Sequence, residues 1–253
     1  MSHIDALISS PAARKQRIDE KTSQIVGWLQ QTGFSTADVL SELIGVHKNG
    51  VYRTLNRLAD AGLLTSEKIS MPLSPRPLQL WGLTPTGALS IASDSGEFEY
   101  FEQGRVSPVS IQHSIDIQRV QLRGARAGWS GWKAERQLNR EGAKAGWRKI
   151  PDATAVDPDG RAVAFEIERT AKTLKRYRDV VRDYLLMMKE GKVSRVLYVC
   201  AGHVRAEALA AFFKKIEYVT VEGRQLELKP EHLARFQFIN LDDWPGGVSD
   251  AAG

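Results

Sequence analysis

The sequence is poor in the residues that form covalent cross-links and soft-metal sites. Its 253 residues include one cysteine, Cys200, so an intramolecular disulfide, a cysteine-cage zinc finger and a CxxC redox site are excluded. The five histidines form no HxH, HxxH or HExxH pair. They are His3, His47, His113, His203 and His232. Any catalytic metal must therefore be held mostly by carboxylates.

Long apolar runs and a strong net charge are also missing. No stretch approaches the roughly 20 apolar residues of a membrane helix, and the N-terminus lacks the basic-then-apolar order of a secretory signal. We therefore expect a cytoplasmic protein without a membrane segment. The net charge is +5, from 35 Lys+Arg against 30 Asp+Glu, which alone is weak evidence for a nucleic-acid partner.

Periodicity changes across residues 94–108, which mix Gly, Ser, Pro and acidic side chains. This composition predicts a boundary between two domains. We assign an N-terminal domain to 1–95, a linker to 96–108, a second domain to 109–245 and a flexible tail to 246–253.

The N-terminal domain has the pattern of three short helices. Apolar residues recur on one side of residues 17–29, which predicts a helix that stops at Gly33. Ser35 or Thr36 can cap a second helix, which Gly45 ends. A tight turn then leads into a third helix with an apolar side of Val51, Leu55 and Leu58.

The opposite side of the third helix carries residue types that reach base edges and phosphates in DNA. These residues are Lys48, Asn49, Tyr52, Arg53, Asn56 and Arg57. A strand at 65–69, a proline-rich tip and a strand at 78–83 follow, and Thr84-Pro85 opens another helix. A short helix, a turn and a helix with such a face is the arrangement of a helix-turn-helix.

Residues 51–64, with the sequence VYRTLNRLADAGLL, resemble the recognition helix and first wing strand of the winged-helix family. The resemblance covers residues 17–94 and implies binding to double-stranded DNA, with Arg76 at the wing tip as a phosphate or minor-groove contact. A winged helix used only for protein contacts or dimerisation is the alternative. The basic, amide-bearing face argues against that alternative, because a packing face would be apolar.

The second domain alternates helices and strands. We predict helices over 109–127, over 171–189 and through Leu209 and Phe212, and strands over 132–138, 152–156, 161–168, 194–200, 218–221 and 236–240. Asp157-Pro-Asp-Gly160 is a hairpin turn signal between two of these strands. The predicted fold class is α/β (α+β), with a mixed sheet in the second domain.

Carboxylates cluster on the predicted strands. Glu166 and Glu168 are two apart on one strand and so share a face, and the hairpin brings Asp152 beside them. Such a patch repels itself unless a cation lies within it, and oxygen ligands suit Mg²⁺ or Mn²⁺, which can activate water for attack on a phosphate. The alternative is a solvated strand edge whose acids pair with Arg161, Arg169 or Lys172.

A basic stripe on the following helix favours the phosphodiesterase interpretation, because it would hold phosphates beside a metal. The stripe consists of Lys172, Lys175, Arg176 and Arg182. Tyr177 and Tyr184 lie on the same predicted helix, and we expect them to be core residues rather than nucleophiles.

The dipeptide Pro151-Asp152 and the tripeptide Glu166-Ile167-Glu168 are similar to the two strand motifs of the PD-(D/E)XK nuclease superfamily. The chain departs from that pattern because Glu168 replaces the final lysine. The resemblance implies that Asp152 and Glu166 are metal ligands and that Glu168 is a ligand or positions water. It also implies that Glu135, on the preceding predicted strand, is an accessory outer ligand.

A winged helix joined to a restriction-endonuclease-like domain resembles the replication-relaxation proteins, and most closely the MobC-type relaxases of mobilisable plasmids. The resemblance implies Mg²⁺- or Mn²⁺-dependent, strand-specific nicking at a plasmid transfer origin during conjugation, with other relaxosome proteins and a coupling protein as partners. Two alternatives stay open. One is a non-catalytic DNA-binding regulator or replication accessory protein with a degenerate nuclease-like domain, and the other is an endonuclease that makes double-strand breaks.

Overall fold

The computed structural model describes residues 10–72, 74–91, 99–170, 172–246 and 249–250. Contacts between Cα atoms divide the chain into two compact units, Met1–Ile115 and Asp116–Gly253. The division falls within the helix Pro108–Arg126, on the C-terminal side of the predicted linker. Within the described ranges, no helix combines the length and the apolar character needed to cross a membrane.

The first unit has the predicted order of three helices, a hairpin and a short helix. Its elements are α1 (Pro11–Thr32), β1 (Ser35–Thr36), α2 (Ala37–Ile44), α3 (Lys48–Asp60), β2 (Leu64–Ile69), β3 (Leu78–Leu83) and α4 (Pro85–Leu89). The three strands form an antiparallel sheet in the order β1-β3-β2. This is the helix and strand order expected of the predicted winged helix.

Caps set the ends of these helices. Helix α1 starts at Pro11, earlier than predicted, because Ser10 caps it by accepting from the Ala13 N–H at 3.2 Å and proline suits a first turn. Thr36 caps α2, with its hydroxyl accepting from the Val39 N–H at 3.4 Å. Gly45 ends α2 at φ 64°, in the left-handed region that glycine adopts without strain.

Part of the predicted linker packs on the first unit. The Phe101 N–H donates to the Leu83 carbonyl at 2.8 Å, and the Gln103 amide donates to the Ser66 carbonyl at 2.8 Å. A Cβ at Gly82 would lie 2.2 Å from the Phe101 Cβ, so this approach requires glycine in β3. The rest of the predicted linker includes residues 96–98, which lie outside the described ranges.

The second unit contains a six-stranded mixed sheet, which confirms the predicted α/β (α+β) class. Following α5 (Pro108–Arg126), its elements are β4 (Ser130–Ala134), α6 (Glu135–Ala145), β5 (Ala153–Val156), β6 (Ala162–Glu168), α7 (Leu174–Lys189), β7 (Arg195–Cys200), α8 (His203–Phe213), β8 (Tyr218–Val221), β9 (Arg224–Glu227), α9 (Pro230–Leu233), β10 (Phe236–Asn240) and β11 (Ser249–Asp250). The strand order is β11-β10-β7-β6-β5-β4. Strands β6, β7 and β10 are parallel, and the other pairs are antiparallel.

The predicted strand over 132–138 is wrong in its second half. Strand β4 ends at Ala134 and α6 starts at Glu135, so Glu135 is the first residue of a helix. The segment is rich in long, unbranched side chains that favour helix, and Leu138 is its fully buried apolar residue. Lys133 also pairs with Glu141 at 2.8 Å, which ties the strand to the helix.

Three other predictions need correction or completion. Helix α7 starts at Leu174, where Thr173 caps it, so Lys172 precedes the helix and is not part of its stripe. Strand β8 does not join the main sheet, because it pairs with β9 in a separate hairpin. Within the predicted tail 246–253, Ser249–Asp250 pairs with β10, while residues 247, 248 and 251–253 lie outside the described ranges.

Strand β6 separates two buried cores. Val163, Phe165 and Ile167 face one core with α5 and Trp244, whereas Ala164 faces the other with α7 and α8. Because side chains alternate along a strand, Glu166 and Glu168 share the face of Ala164 and project toward α7. The predicted shared face of the two glutamates is therefore confirmed.

Candidate active site and DNA-binding face

Glu166 is buried in a cluster of polar side chains. Its side chain is 3% exposed, forms an ion pair with Lys149 and accepts a hydrogen bond from the Tyr184 hydroxyl. Burial and the neighbouring Asp152 charge raise the pKa of the Glu166 carboxyl, while Lys149 and Tyr184 oppose that shift. Lys149 lies in the segment between α6 and β5 and also approaches the Tyr184 oxygen at 3.5 Å.

Glu168 has an equivalent set of partners one step further along β6. It is also 3% exposed, pairs with the Lys172 ammonium at 2.8 Å and accepts from the Tyr177 hydroxyl at 3.1 Å. Tyr177 and Tyr184 are seven residues apart and project from one side of α7, as their predicted core positions require. Burial raises the pKa of both phenols, so they stay protonated and donate to the carboxylates.

Asp152 lies opposite Glu166 where β5 meets β6. The antiparallel register pairs Ala153 with Phe165, so the next residue pair is Asp152 with Glu166. Asp152 is half-buried, and its Oδ2 accepts from the Ile167 N–H at 2.7 Å. The Asp152 carbonyl accepts from the Glu135 N–H at 2.9 Å, which places the start of α6 beside it. The Glu135 side chain is exposed.

The structure brings Asp152 and Glu166 together as a pair and gives Glu168 its own neutralising partners. Within the described residues, no three Asp, Glu, His or Cys side chains converge closely enough to hold a metal ion among them. Mg²⁺ is commonly bound through one or two carboxylates plus water and substrate phosphate. The Asp152–Glu166 pair has the donor chemistry for that mode, with Lys149 as the cation now beside Glu166.

Lys149 is the site residue that sequence analysis missed. It stands three residues before Asp152, in a segment without strand or helix periodicity. No sequence pattern therefore predicts that its side chain contacts Glu166. Tyr198 was also missed as a neighbour, although the parallel register places it beside Glu166 on β7. Its buried hydroxyl finds no hydrogen-bond partner within the described part of the chain.

Arg161, Arg169 and Lys172 are the residues predicted to pair with the strand carboxylates if these formed a solvated edge, and the structure gives two of the three other partners. Arg169 pairs with the buried Asp116 of α5, Arg161 lies 3.7 Å from Asp159, and Lys172 alone of the three pairs with a candidate carboxylate. Because both glutamates are buried, they do not form the solvated edge of the alternative interpretation. In the predicted stripe, Lys175 and Arg176 are exposed, whereas Arg182 is held by Asp179 at 3.0 Å and Asp183 at 2.9 Å.

In the first unit, α3 presents the predicted DNA-binding residues along one side. Asn49, Arg53 and Asn56 are exposed and Tyr52 is half-buried, at spacings that place them on one stripe. Lys48 pairs with Asp38 of α2 at 2.7 Å, which raises the pKa of the Lys48 ammonium. The Arg57 guanidinium donates to the Thr22 hydroxyl of α1 at 3.0 Å. Arg76 is exposed in the turn between β2 and β3.

Comparisons with known proteins place these features in a family. The family model described as replication-relaxation matches residues 26–196, about two thirds of the chain. Among solved structures, a double mutant of ZitR from Lactococcus lactis in its apo form is similar at 20% identity, over 36% of this chain and 67% of that chain, with a TM-score of 0.25. A comparison with curated proteins gave no match.

Proposed function

The chain belongs to the replication-relaxation family, and on that premise we propose that it binds duplex DNA and nicks one strand at a plasmid transfer origin with Mg²⁺ or Mn²⁺. The observation that carries the nicking proposal is the Asp152–Glu166 pair on neighbouring strands. Two carboxylates on paired positions of neighbouring strands can hold a divalent cation. A lysine ammonium beside them offsets the negative charge of a phosphate that binds next to that cation.

Each residue of the site has a defined part in this proposal. Asp152 and Glu166 would hold the cation, and the Ile167 N–H fixes the Asp152 carboxylate by donating to Oδ2. The bound cation would activate water and stabilise the charge that develops on the phosphate. Tyr184 holds Glu166 in place through its hydroxyl. Lys149 provides a positive charge next to Glu166, where it can stabilise a phosphodiester in the reaction.

Glu168 and Glu135 occupy outer positions. Glu168 is held by Lys172 and Tyr177, so we assign it to positioning Lys172 near the substrate rather than to the first set of metal ligands. The exposed Glu135 stands at the start of α6, where it can orient water around the bound cation. The exposed Lys175 and Arg176 would contact phosphates of the cleaved strand.

In this proposal, helix α3 and the wing formed by β2 and β3 recognise the DNA. The exposed stripe of α3 suits the major groove, where arginine reads guanine and asparagine reads adenine, and Arg76 reaches a phosphate or the minor groove. Relaxosome proteins and a coupling protein would complete the assembly on the transfer origin. The family match and the residue types exposed on α3 support the DNA-binding part of this proposal.

The test is cleavage of supercoiled plasmid DNA that carries the transfer origin of the source plasmid. The full chain with Mg²⁺ or Mn²⁺ should give open circles, and Asp152→Asn should abolish nicking while duplex binding stays intact. This variant keeps an oxygen that can accept from the Ile167 N–H. Asp159→Asn is the matched control, because Asp159 is a carboxylate in an exposed turn of the same unit and should leave nicking unchanged.

Two outcomes would contradict the proposal. If the full chain binds duplex DNA but never nicks it with either metal, the protein is a non-catalytic DNA-binding regulator or replication accessory protein. If the product is linear DNA, the chain makes double-strand breaks and is not a relaxase.

A further inference from the structure

A basic groove lies between α1 and α3 of the first unit. It has a volume of about 570 Å³ and is lined from α1 by Ile18 and Lys21 and from α3 by Asn49, Arg53 and Arg57. His47 and Val46, which immediately precede α3, also line the groove. Among the described residues that line it, none is Asp or Glu. The groove therefore concentrates positive charge, because no neighbouring carboxylate on its walls neutralises the three cations.

One contact joins the two helices that line the groove. The Arg57 guanidinium of α3 donates to the Thr22 hydroxyl of α1 at 3.0 Å. Gly50 lies in the lining and presents no side chain there. A second depression on α1 shows the contrast, since Lys15 there is accompanied by Asp19 and Glu20. The positive character thus belongs to one side of α1.

We infer that this groove is a further DNA contact, in which Lys21 and Arg57 hold a stretch of sugar–phosphate backbone next to the bases that α3 reads. The inference rests on the proposed DNA binding, because Asn49 and Arg53 belong both to the groove and to the exposed stripe of α3. A helix inserted into the major groove necessarily has a phosphate backbone beside it. The groove places α1 on that backbone.

The experiment measures duplex affinity as a function of salt. The full chain is titrated against a fluorescein-labelled duplex of mixed sequence by fluorescence anisotropy, at NaCl concentrations from about 50 to about 200 mM. Each lost phosphate contact reduces the slope of log K against log salt by about 0.9. Lys21→Ala should show that reduction, with weaker binding to every duplex sequence tested.

Matched variants separate the groove from the rest of the surface. Lys15→Ala removes the same charge from the same helix on its other side and should leave the slope unchanged. Arg53→Ala should weaken binding through α3 itself. Thermal unfolding followed by circular dichroism should show that all three variants fold, since Lys15 and Arg53 are exposed and Lys21 is half-buried.

The outcomes distinguish this inference from the proposed function. If Lys21→Ala keeps the wild-type slope while Arg53→Ala loses affinity, α3 binds DNA and the groove does not hold its backbone. If Lys15→Ala and Lys21→Ala reduce the slope equally, the effect is general attraction and the groove inference is wrong. If polyglutamate binding depends on Lys21 while duplex binding does not, the occupant is an acidic protein segment. If the wild-type chain binds no duplex, both proposals are wrong.

Discussion

Helix α3 and strand β6 present their candidate residues in opposite ways. On α3 the polar stripe is exposed, and its apolar opposite side, with Val51 and Leu55, provides the packing. On β6 the candidate carboxylates themselves are buried, and each forms an ion pair with a lysine and a hydrogen bond with a tyrosine. Substitutions in the exposed stripe of α3 should therefore change the fold's stability little, whereas substitutions of the buried carboxylates should lower it.

The largest stability effect should come from Lys149→Met. It leaves the buried Glu166 carboxylate without its cation, and removing one partner of a buried pair costs about 3 kcal/mol. Urea unfolding measures the loss. Adding Glu166→Gln should recover most of it, because no unpaired charge is then buried.

Lys192→Met is the control for this prediction. The Lys192 side chain is 24% exposed, close to the 22% of Lys149, but its partner Glu190 is 35% exposed. Surface pairs contribute about 0.2–1 kcal/mol, so the loss should be small. Equal losses in the two variants would show that burial of the acid does not set the cost.

Arg53→Ala tests the other half of the comparison. We expect duplex affinity to fall by about 1–3 kcal/mol, which is roughly 5- to 150-fold, while the free energy of unfolding changes by less than about 0.5 kcal/mol. Anisotropy titration and urea unfolding measure the two quantities. A large loss of stability with unchanged affinity would show that α3 is a packing element and not a DNA-binding face.

Glu166→Gln should change how stability depends on pH. The folded state raises the pKa of Glu166 above its ordinary value of 4.5, mainly through burial. A raised pKa means that the folded state favours the protonated form of Glu166. The contribution of Glu166 to the free energy of unfolding is therefore fully present below pH 4.5 and is lost as the pH rises through the folded-state pKa. The stability of wild type relative to Glu166→Gln should therefore fall as pH rises above 4.5. If the difference in stability between wild type and Glu166→Gln stayed constant as the pH rose above 4.5, the pKa of Glu166 would not be raised in the folded state.

The smallest effect is expected at Cys200. Burial, with a contribution from the Glu168 charge, raises the pKa of this thiol to about 12. Because thiolate is the reactive form, a disulfide reagent at about pH 8 should leave folded protein unmodified and label it only in denaturant. Rapid labelling of the folded protein would show that the strand beside Glu168 opens easily.

Local patterns predicted most of the fold. The caps at Gly45 and Thr84, the Asp157 turn and the apolar sides of the helices all depend on neighbours in the chain, so the sequence alone predicts them. The turn is confirmed by the Asp157 carboxylate, which accepts from the Arg161 N–H at 2.8 Å. The shared face of Glu166 and Glu168 followed from strand alternation in the same way.

The parts that were wrong or missed depend on distant contacts. The alternation of Trp132 and Ala134 predicts a strand that continues through Glu135, but residues of high helix propensity follow and the helix starts at Glu135. The ion pair of Lys149 with Glu166 spans 17 residues, and that of Asp116 with Arg169 spans 53. Such pairs are set by how α5, β5 and β6 pack, which residue periodicity does not encode.

The core on the face of β6 opposite the two glutamates is rich in tryptophan, so the protein carries an intrinsic fluorescence probe. Trp129, Trp132 and Trp244 surround Phe165, with ring centroids 4.9 to 5.4 Å from it. Phe165 immediately precedes Glu166, so a shift of that strand alters the surroundings of three of the six tryptophans. Their emission can therefore test the proposed binding of a cation or of DNA at the carboxylates in unlabelled protein.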